Sequence, residues 1–194
     1  MPDNPNPQGK GLVPVLATLS ETRAMASHVP PKQIDQISNE LFTSLFVLES
    51  EFKFRPVPER AYWLYRKKGR FWMSPVGPDE WSADIYGQYI GRCELHRDMT
   101  WTLELGEEAA ADTELLTWLE EKRQAFDRDL QQVEQVDDAL PGYREKFSFY
   151  RRALAFALAH SLGASMDKSG IRGLNYEQAA GLLADQRRDS PSQH

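Results

Sequence analysis

The sequence predicts an α+β domain: a small antiparallel sheet of three or four strands, flanked by an N-terminal helix and a C-terminal group of about three helices. Three observations predict it. Four of the five tryptophans (Trp63, Trp72, Trp81 and Trp101) fall within residues 54–105, in short aromatic runs broken by proline and glycine. Such runs favour strands joined by turns. Ahead of them, Ile34, Ile37, Leu41, Leu45, Leu48 and Phe52 recur at three- and four-residue steps, the spacing of one helix face. Behind them, Leu115, Leu116, Leu119, Phe126, Leu130 and Val133 resume that spacing, and an Ala- and Leu-rich stretch follows.

Taken in order, residues 1–11 hold three prolines, two asparagines and two glycines. They offer nothing to bury and read as a flexible arm. A single domain over residues 12–184 is expected, with a frayed tail over 185–194. A short helix beginning near Pro14 precedes the first long helix, expected over 34–52. Phe42 and Phe46 widen that helix's apolar face, so it should touch two neighbours. Pro56 and Pro58 stop it.

Strands are expected at 61–66, 70–74, 86–96 and 99–105. Lys67-Lys68-Gly69 supplies the first turn, with Gly69 free to take a positive φ. Pro75, Gly77 and Pro78 form a loop ending in a helical turn at Asp79-Glu80-Trp81. On the third strand, alternation places Tyr89, Gly91, Cys93 and Leu95 on one face, and Gln88, Ile90, Arg92, Glu94 and His96 on the other. Helices follow over 112–136, capped by Asp112 or Thr113, and over 143–162, with Gly163 as C-cap. Asn175 opens the last helix, and Gln178 stands at capping-box spacing.

Composition narrows the function. The chain has 194 residues, 41% hydrophobic and 27% charged, which suits one domain. Residues 153–164 form the longest apolar run, but it is short and contains His160 and Ser161, so no membrane span is expected. The opening residues lack the basic start and apolar core of a secretory signal. Cys93 is the only cysteine. That excludes an intramolecular disulfide and a cysteine-based zinc site, and points to a reducing cytoplasm. A net charge of −6 opposes nucleic acid and anionic membranes globally. Neither Gly87 with Gly91 nor Gly170-Ile171-Arg172-Gly173 forms a phosphate loop. His28 and His160 have no ligand spacing, and His160 reads as a core histidine. No cofactor and no metal are expected.

Three places carry candidate chemistry. Arg66, Lys67, Lys68 and Arg70 put four positive charges in five residues beside Tyr62, Trp63, Tyr65, Phe71 and Trp72. Cations beside aromatic faces suit single-stranded nucleic acid; the structural reading makes them a solvated turn over a core. Arg92, Glu94, His96 and Asp98 share strand parity, a polar row able to supply an acid–base pair or simply to neutralise itself. Asp98 can cap its turn or face a cleft opposite Tyr65 or Trp81. Cys93 reads as a small buried hydrophobe rather than a nucleophile.

These residues also carry a resemblance. Pro58 stands four before Tyr62, and Leu64 and Tyr65 complete a Tyr-x-Leu-Tyr strand. Ser74-Pro75, Glu80-Trp81 and Asp98-Met99-Thr100-Trp101 follow in order. The arrangement resembles the family catalogued as domain of unknown function 2452. Asn6-Pro7, Leu12-Val13 and the helix at Ile34 look like that family's start, so the resemblance spans residues 6–105. Leu140-Pro141 and Phe149-Tyr150-Arg151-Arg152 look like its bacterial members. Two features depart from the pattern: Glu59 occupies a glycine position, and Val76 and Gly77 are additional. The resemblance implies a fold class and a shared site, but no reaction. The expected function is therefore a cytoplasmic, non-enzymatic module binding a protein or small ligand. Nucleic-acid binding at the hairpin and an enzyme using the polar row are the alternatives.

Overall fold

The computed structural model describes residues 29–80, 83–142 and 147–188. The arm, the short helix near Pro14 and Trp81 lie outside the described residues. The elements run α1 (Ile34–Glu49), β1 (Arg60–Lys67), β2 (Arg70–Ser74), a 3-10 turn (Pro78–Glu80), α2 (Ala83–Tyr86), β3 (Gln88–Leu95) and β4 (Trp101–Leu105). Then follow α3 (Glu107–Ala111), α4 (Thr113–Gln132), a second 3-10 turn (Val136–Ala139), α5 (Phe149–Ser169) and α6 (Tyr176–Arg188). The architecture is α+β, as expected: among the described residues, a helix ahead of the sheet, a four-stranded antiparallel sheet and a helical C-terminal half.

Strand order is β2-β1-β3-β4, with every pair antiparallel. The β1–β2 hairpin turns on Lys68 and Gly69, whose φ values are 51° and 74°. Positive φ at both central residues is the two-residue turn whose twist matches the strands. The outer edge of β2 is closed by Glu51, which donates to Phe71 O at 3.0 Å and accepts from Met73 N–H at 2.9 Å. A covered edge cannot recruit a further strand.

The face assignment predicted for β3 needs one correction. Register shifts between Leu64 and Tyr65, so that Leu64 pairs with Gly91 and Tyr65 with Tyr89. Ile90 is the extra residue of this bulge. One inserted residue reverses strand parity beyond it. Ile90 therefore joins Tyr62, Leu64, Cys93, Leu95 and Trp101 in the main core. Tyr89 moves to the opposite face, 5.8 Å from the Tyr65 ring. There Tyr65 stacks on Trp72 at 5.1 Å, and Trp72 meets Tyr86 at 5.2 Å. The β2–β3 connection covers this second aromatic layer: Tyr65 Oη donates to Val76 O at 3.0 Å and Trp72 Nε1 to Tyr86 O at 3.1 Å. Val76, one of the two additional residues, is thus a tether of the layer.

The inner face of the sheet carries α1 and α5. Ile34, Ile37, Leu41, Val47 and Leu48 of α1 are buried, as are Leu154, Leu158, Leu162 and Met166 of α5. Gly163 does not cap α5. It lies inside the helix, and Gly170, at φ 70°, terminates it. The expected start at Tyr143 lies outside the described residues. His160 is exposed and stacks on Phe156 at 6.5 Å, because α5 turns a different stripe toward the core. Asp112 caps α4, accepting from Leu115 N–H at 3.0 Å. Asn175 and Gln178 exchange side-chain-to-backbone hydrogen bonds at 2.9 and 3.1 Å at the head of α6.

Glu59, the other departure from the family pattern, takes φ 63°. Its N–H donates to Leu95 O at 2.6 Å, which ties the entry of β1 to the end of β3. A left-handed non-glycine residue costs about 1–2 kcal/mol, of which glycine's extra unfolded freedom returns about 0.5–1. The Glu59–Arg97 pair at 3.4 Å is exposed and contributes little. Glu59→Gly is accordingly expected to raise the melting temperature by a degree or more; an unchanged or lower melt would contradict this account of the turn.

Candidate functional site

Phe42 and Phe46 do touch a second neighbour. On the solvent side of α1 they face α4 across a cavity of about 500 Å³. Its walls are Phe42, Leu45, Phe46, Phe71, Trp118 and Phe126, and Gly69 of the hairpin turn closes one end. Phe42 meets Phe126 at 5.6 Å, and Phe46 meets Trp118 at 6.1 Å. Rising numbers on α1 meet falling numbers on α4, so the two helices run antiparallel along the groove. Phe71 joins the two at the hairpin end, stacked on Trp118 at 5.4 Å and edge-on to Phe46 at 5.2 Å.

Charged groups rim the cavity: Glu49, Lys122 and Asp129. Lys122 Nζ sits 5.6 Å from the centre of the Trp118 ring. The Arg123 guanidinium lies 5.2 Å from the Phe42 ring and 5.9 Å from Phe126. It is held there by Asp127 at 2.8 Å and by Ser38 Oγ at 2.9 Å. An apolar cavity of this volume with a few charged groups at its rim is a ligand-sized site. The wide apolar face of α1 was the sequence signal for it. Nothing in the spacing of α4 showed which neighbour would leave the gap.

The basic hairpin tip divides. Lys67 Nζ donates to Asp84 O at 2.9 Å and Ile85 O at 2.7 Å, tying α2 to the hairpin. Arg66 stands 3.9 Å from Asp112. The Leu115 N–H, then Gln88 and Arg66, hold the Asp112 carboxyl below its ordinary range. Lys68 and Arg70 are exposed. The aromatics beside them are not a free platform. Tyr65 is buried, and burial, with Tyr89, Asp79 and Glu80 nearby, pushes its hydroxyl up to about 12.

The polar row also comes apart. Arg92 pairs with Glu94 at 2.7 Å, and His96 Nε2 meets Thr102 Oγ1 at 3.1 Å. Asp98 lies beyond the strand, in the β3–β4 turn, where Met99 takes φ 67°. Its Oδ1 accepts from Thr100 N–H at 3.1 Å and Thr100 Oγ1 at 2.6 Å. Its Oδ2 accepts from Lys32 Nζ at 2.5 Å. Asp98 is therefore a turn cap and a counter-ion, separated in role from His96.

Sequence spacing did not reveal Lys32. It is only 5% exposed, and its ammonium also meets Glu40 Oε2 at 2.5 Å. Burial alone would raise the Asp98 pKa. The hydrogen bonds from Lys32 and Thr100 outweigh it and hold the carboxyl below its ordinary value. The triad joins the entry of α1, its second turn and the β3–β4 turn at one point. Cys93 is fully buried, and loss of hydration pushes its thiol up to about 12; a thiol in that state is a poor nucleophile at neutral pH. Among the described residues no group of three His, Cys, Asp or Glu could hold a metal ion, and no helix is long and apolar enough to cross a membrane.

Comparison with protein families matches residues 32–121 to a family described as protein of unknown function (DUF2452). The match begins at Lys32 and includes Glu40, Asp98 and Trp101, together with the groove as far as Trp118. Comparison with curated proteins and with solved structures gives no match.

Proposed function

We propose, for a chain whose residues 32–121 belong to the DUF2452 family, that it is a non-enzymatic binding module, and that its groove between α1 and α4 receives apolar side chains of a partner protein. The observation that carries this is the cavity itself. It is about 500 Å³ in volume, and aromatic rings from two helices and a hairpin converge on it. A groove between antiparallel helices suits a partner helix presenting anchors at i, i+3 and i+4. The two ring clusters, around Phe42 and around Phe46, are one helical turn apart and match that spacing. The enzyme reading draws little support from an Arg92, His96 and Asp98 row whose members bond to different partners. Nucleic-acid binding would rest on Lys68 and Arg70, since Lys67 is occupied with α2. The proposal includes a cytoplasmic location, supported by the single, buried thiol of Cys93. It also includes a bacterial origin, supported by the likeness of residues 140–152 to bacterial members.

Fluorine NMR of protein labelled with 5-fluorotryptophan tests the reading. The Trp118 resonance is assigned by its loss in Trp118→Phe. A neutral amphipathic peptide, with leucines at helical spacing and serine and glutamine elsewhere, is expected to shift that resonance saturably. Phe46→Glu, which places a charge in the cavity wall, is expected to abolish the shift without unfolding the protein. A Trp118 signal indifferent to the peptide would refute the groove as the contact.

A further inference from the structure

We propose that residues 12–19 of this same chain pack on the outward apolar face of α5, as a strap along that helix and apart from the groove between α1 and α4. Phe149, Ala153, Phe156 and His160 form the face, at steps of four, three and four residues, the spacing of one helix side. Phe149 and Phe156 are each 55% exposed, and His160 is exposed beside them. Their ring contacts stay within α5: Phe149 meets Tyr150 at 5.6 Å, and Phe156 lies parallel to His160 at 6.5 Å. Two exposed phenylalanines in line on one helix make a contiguous apolar patch, the mark of a contact surface rather than of scattered surface carbon.

The path by which the chain enters the fold selects the occupant. Residues 29–32 lie against the C-terminal end of α5. Ser169 Oγ donates to Lys32 O at 2.7 Å, Ser165 Oγ to Pro30 O at 2.7 Å and Lys168 Nζ to Val29 O at 2.6 Å. Followed upstream from Lys32 to Val29, these contacts step around α5 in one sense, by about 40° and then about 60° at 3.6 residues per turn. A further turn of about 60° to 120° in that sense reaches the line of Ala153, His160, Phe149 and Phe156. The chain upstream of Val29 is thus already directed at this face. Its apolar residues also fall at the right height. Leu12, Val13, Val15, Leu16 and Leu19 stand 17 to 10 residues before Val29, and Phe149 to Phe156 stand 19 to 12 residues before Lys168. Two helices climbing about 1.5 Å per residue from a shared contact bring these two stretches side by side, running parallel.

The size of the face argues for a tethered occupant over a second copy. A stable association of separate molecules buries about 1,200–2,000 Å², far more than a few side chains in a line on one helix supply. A segment joined directly to Val29 needs much less, because a short tether holds it at an effective concentration in the millimolar range.

Fluorine NMR of the full-length chain labelled with 4-fluorophenylalanine tests this, with the Phe156 signal assigned by its loss in Phe156→Leu. A nitroxide spin label is attached at Ala17→Cys; Cys93 is buried, so the label goes to the introduced thiol. The Phe156 signal is expected to drop about two-fold or more when the nitroxide is active, as for a segment docked in most molecules. Leu16→Asp/Leu19→Asp in the same labelled chain is expected to restore it. A Phe156 signal at full height beside the active label would overturn the proposal. So would a loss that survives Leu16→Asp/Leu19→Asp, which would mark a tethered chain merely passing by. In a mixture of fluorinated copies with spin-labelled, non-fluorinated copies the signal should keep its height; a loss there would make a second copy the occupant and overturn the proposal as well. A double-mutant cycle checks the contact without labels: Leu16→Asp should lower the urea midpoint less in Phe156→Asp than in the native protein. Equal effects in the two backgrounds would place Leu16 away from this face.

Discussion

Replacing Lys32 with methionine is expected to cost about 3–5 kcal/mol of folding stability at neutral pH, the range for breaking a buried ion pair by removing one partner. The ammonium is almost fully buried and stands 2.5 Å from both Glu40 and Asp98. Methionine fills the space but leaves two half-buried carboxylates directed at the same point. The cost should depend on pH. In the native protein the Asp98 pKa is lowered. Its contribution is present above the carboxyl's unfolded value near ~3.9 and is lost as pH falls through the lower folded value. In the variant the two carboxylates gain by protonating, so acid removes the native protein's advantage. Urea unfolding at pH 7 and at pH 3.5 should show the gap narrowing. Lys32→Met/Glu40→Gln/Asp98→Asn should recover most of the loss at pH 7, because neutral groups no longer need the ammonium. A loss under about 1 kcal/mol, unchanged by pH, would show the triad to be a solvated pair of no consequence.

The second large effect is expected from Trp101→Ala, at about 3–5 kcal/mol. Trp101 closes the Asp98-Met99-Thr100-Trp101 motif and is 1% exposed. Its ring lies 6.0 Å from Tyr62, its backbone N–H donates to Ser44 Oγ at 2.9 Å, and it pairs across the sheet with Leu95. Alanine leaves a cavity where β4 meets α1. The indole Nε1 is buried with no acceptor among the described residues. Trp101→Phe removes that donor together with part of the volume, and should cost less than half as much. Denaturant midpoints for the two variants decide the matter. Equal losses would mean that the indole nitrogen has a partner and that packing alone does not explain the site.

These two residues show why so much of the fold was legible and so little of the site. The first helix, the four strands, the Lys68-Gly69 turn, the Asp112 cap and the Asn175–Gln178 box all follow from rules acting within a few residues. Spacing shows which face of an element is apolar, and strand alternation put Cys93 on the same face as Leu95, inside as expected. It does not show what that face meets. Leu45 was expected as one more core leucine and instead lines the groove, because α4 leaves a gap beside α1 at that height. A single extra residue at Ile90 moved Tyr89 to the other face, an event that alternation cannot register.

Charge was the least legible of all. Lys32 and Asp98 are 66 residues apart, so nothing local in the sequence paired them. The basic tip and the polar row looked like sites because like residues were close in sequence. Once folded, Lys67, Arg66, Arg92 and Asp98 each found a different partner. The elements, their caps and the α+β class were legible in the chain, since those depend on local backbone preference and apolar periodicity. The buried triad, the bulge and the groove came only with folding, since those depend on which distant surfaces meet and how closely.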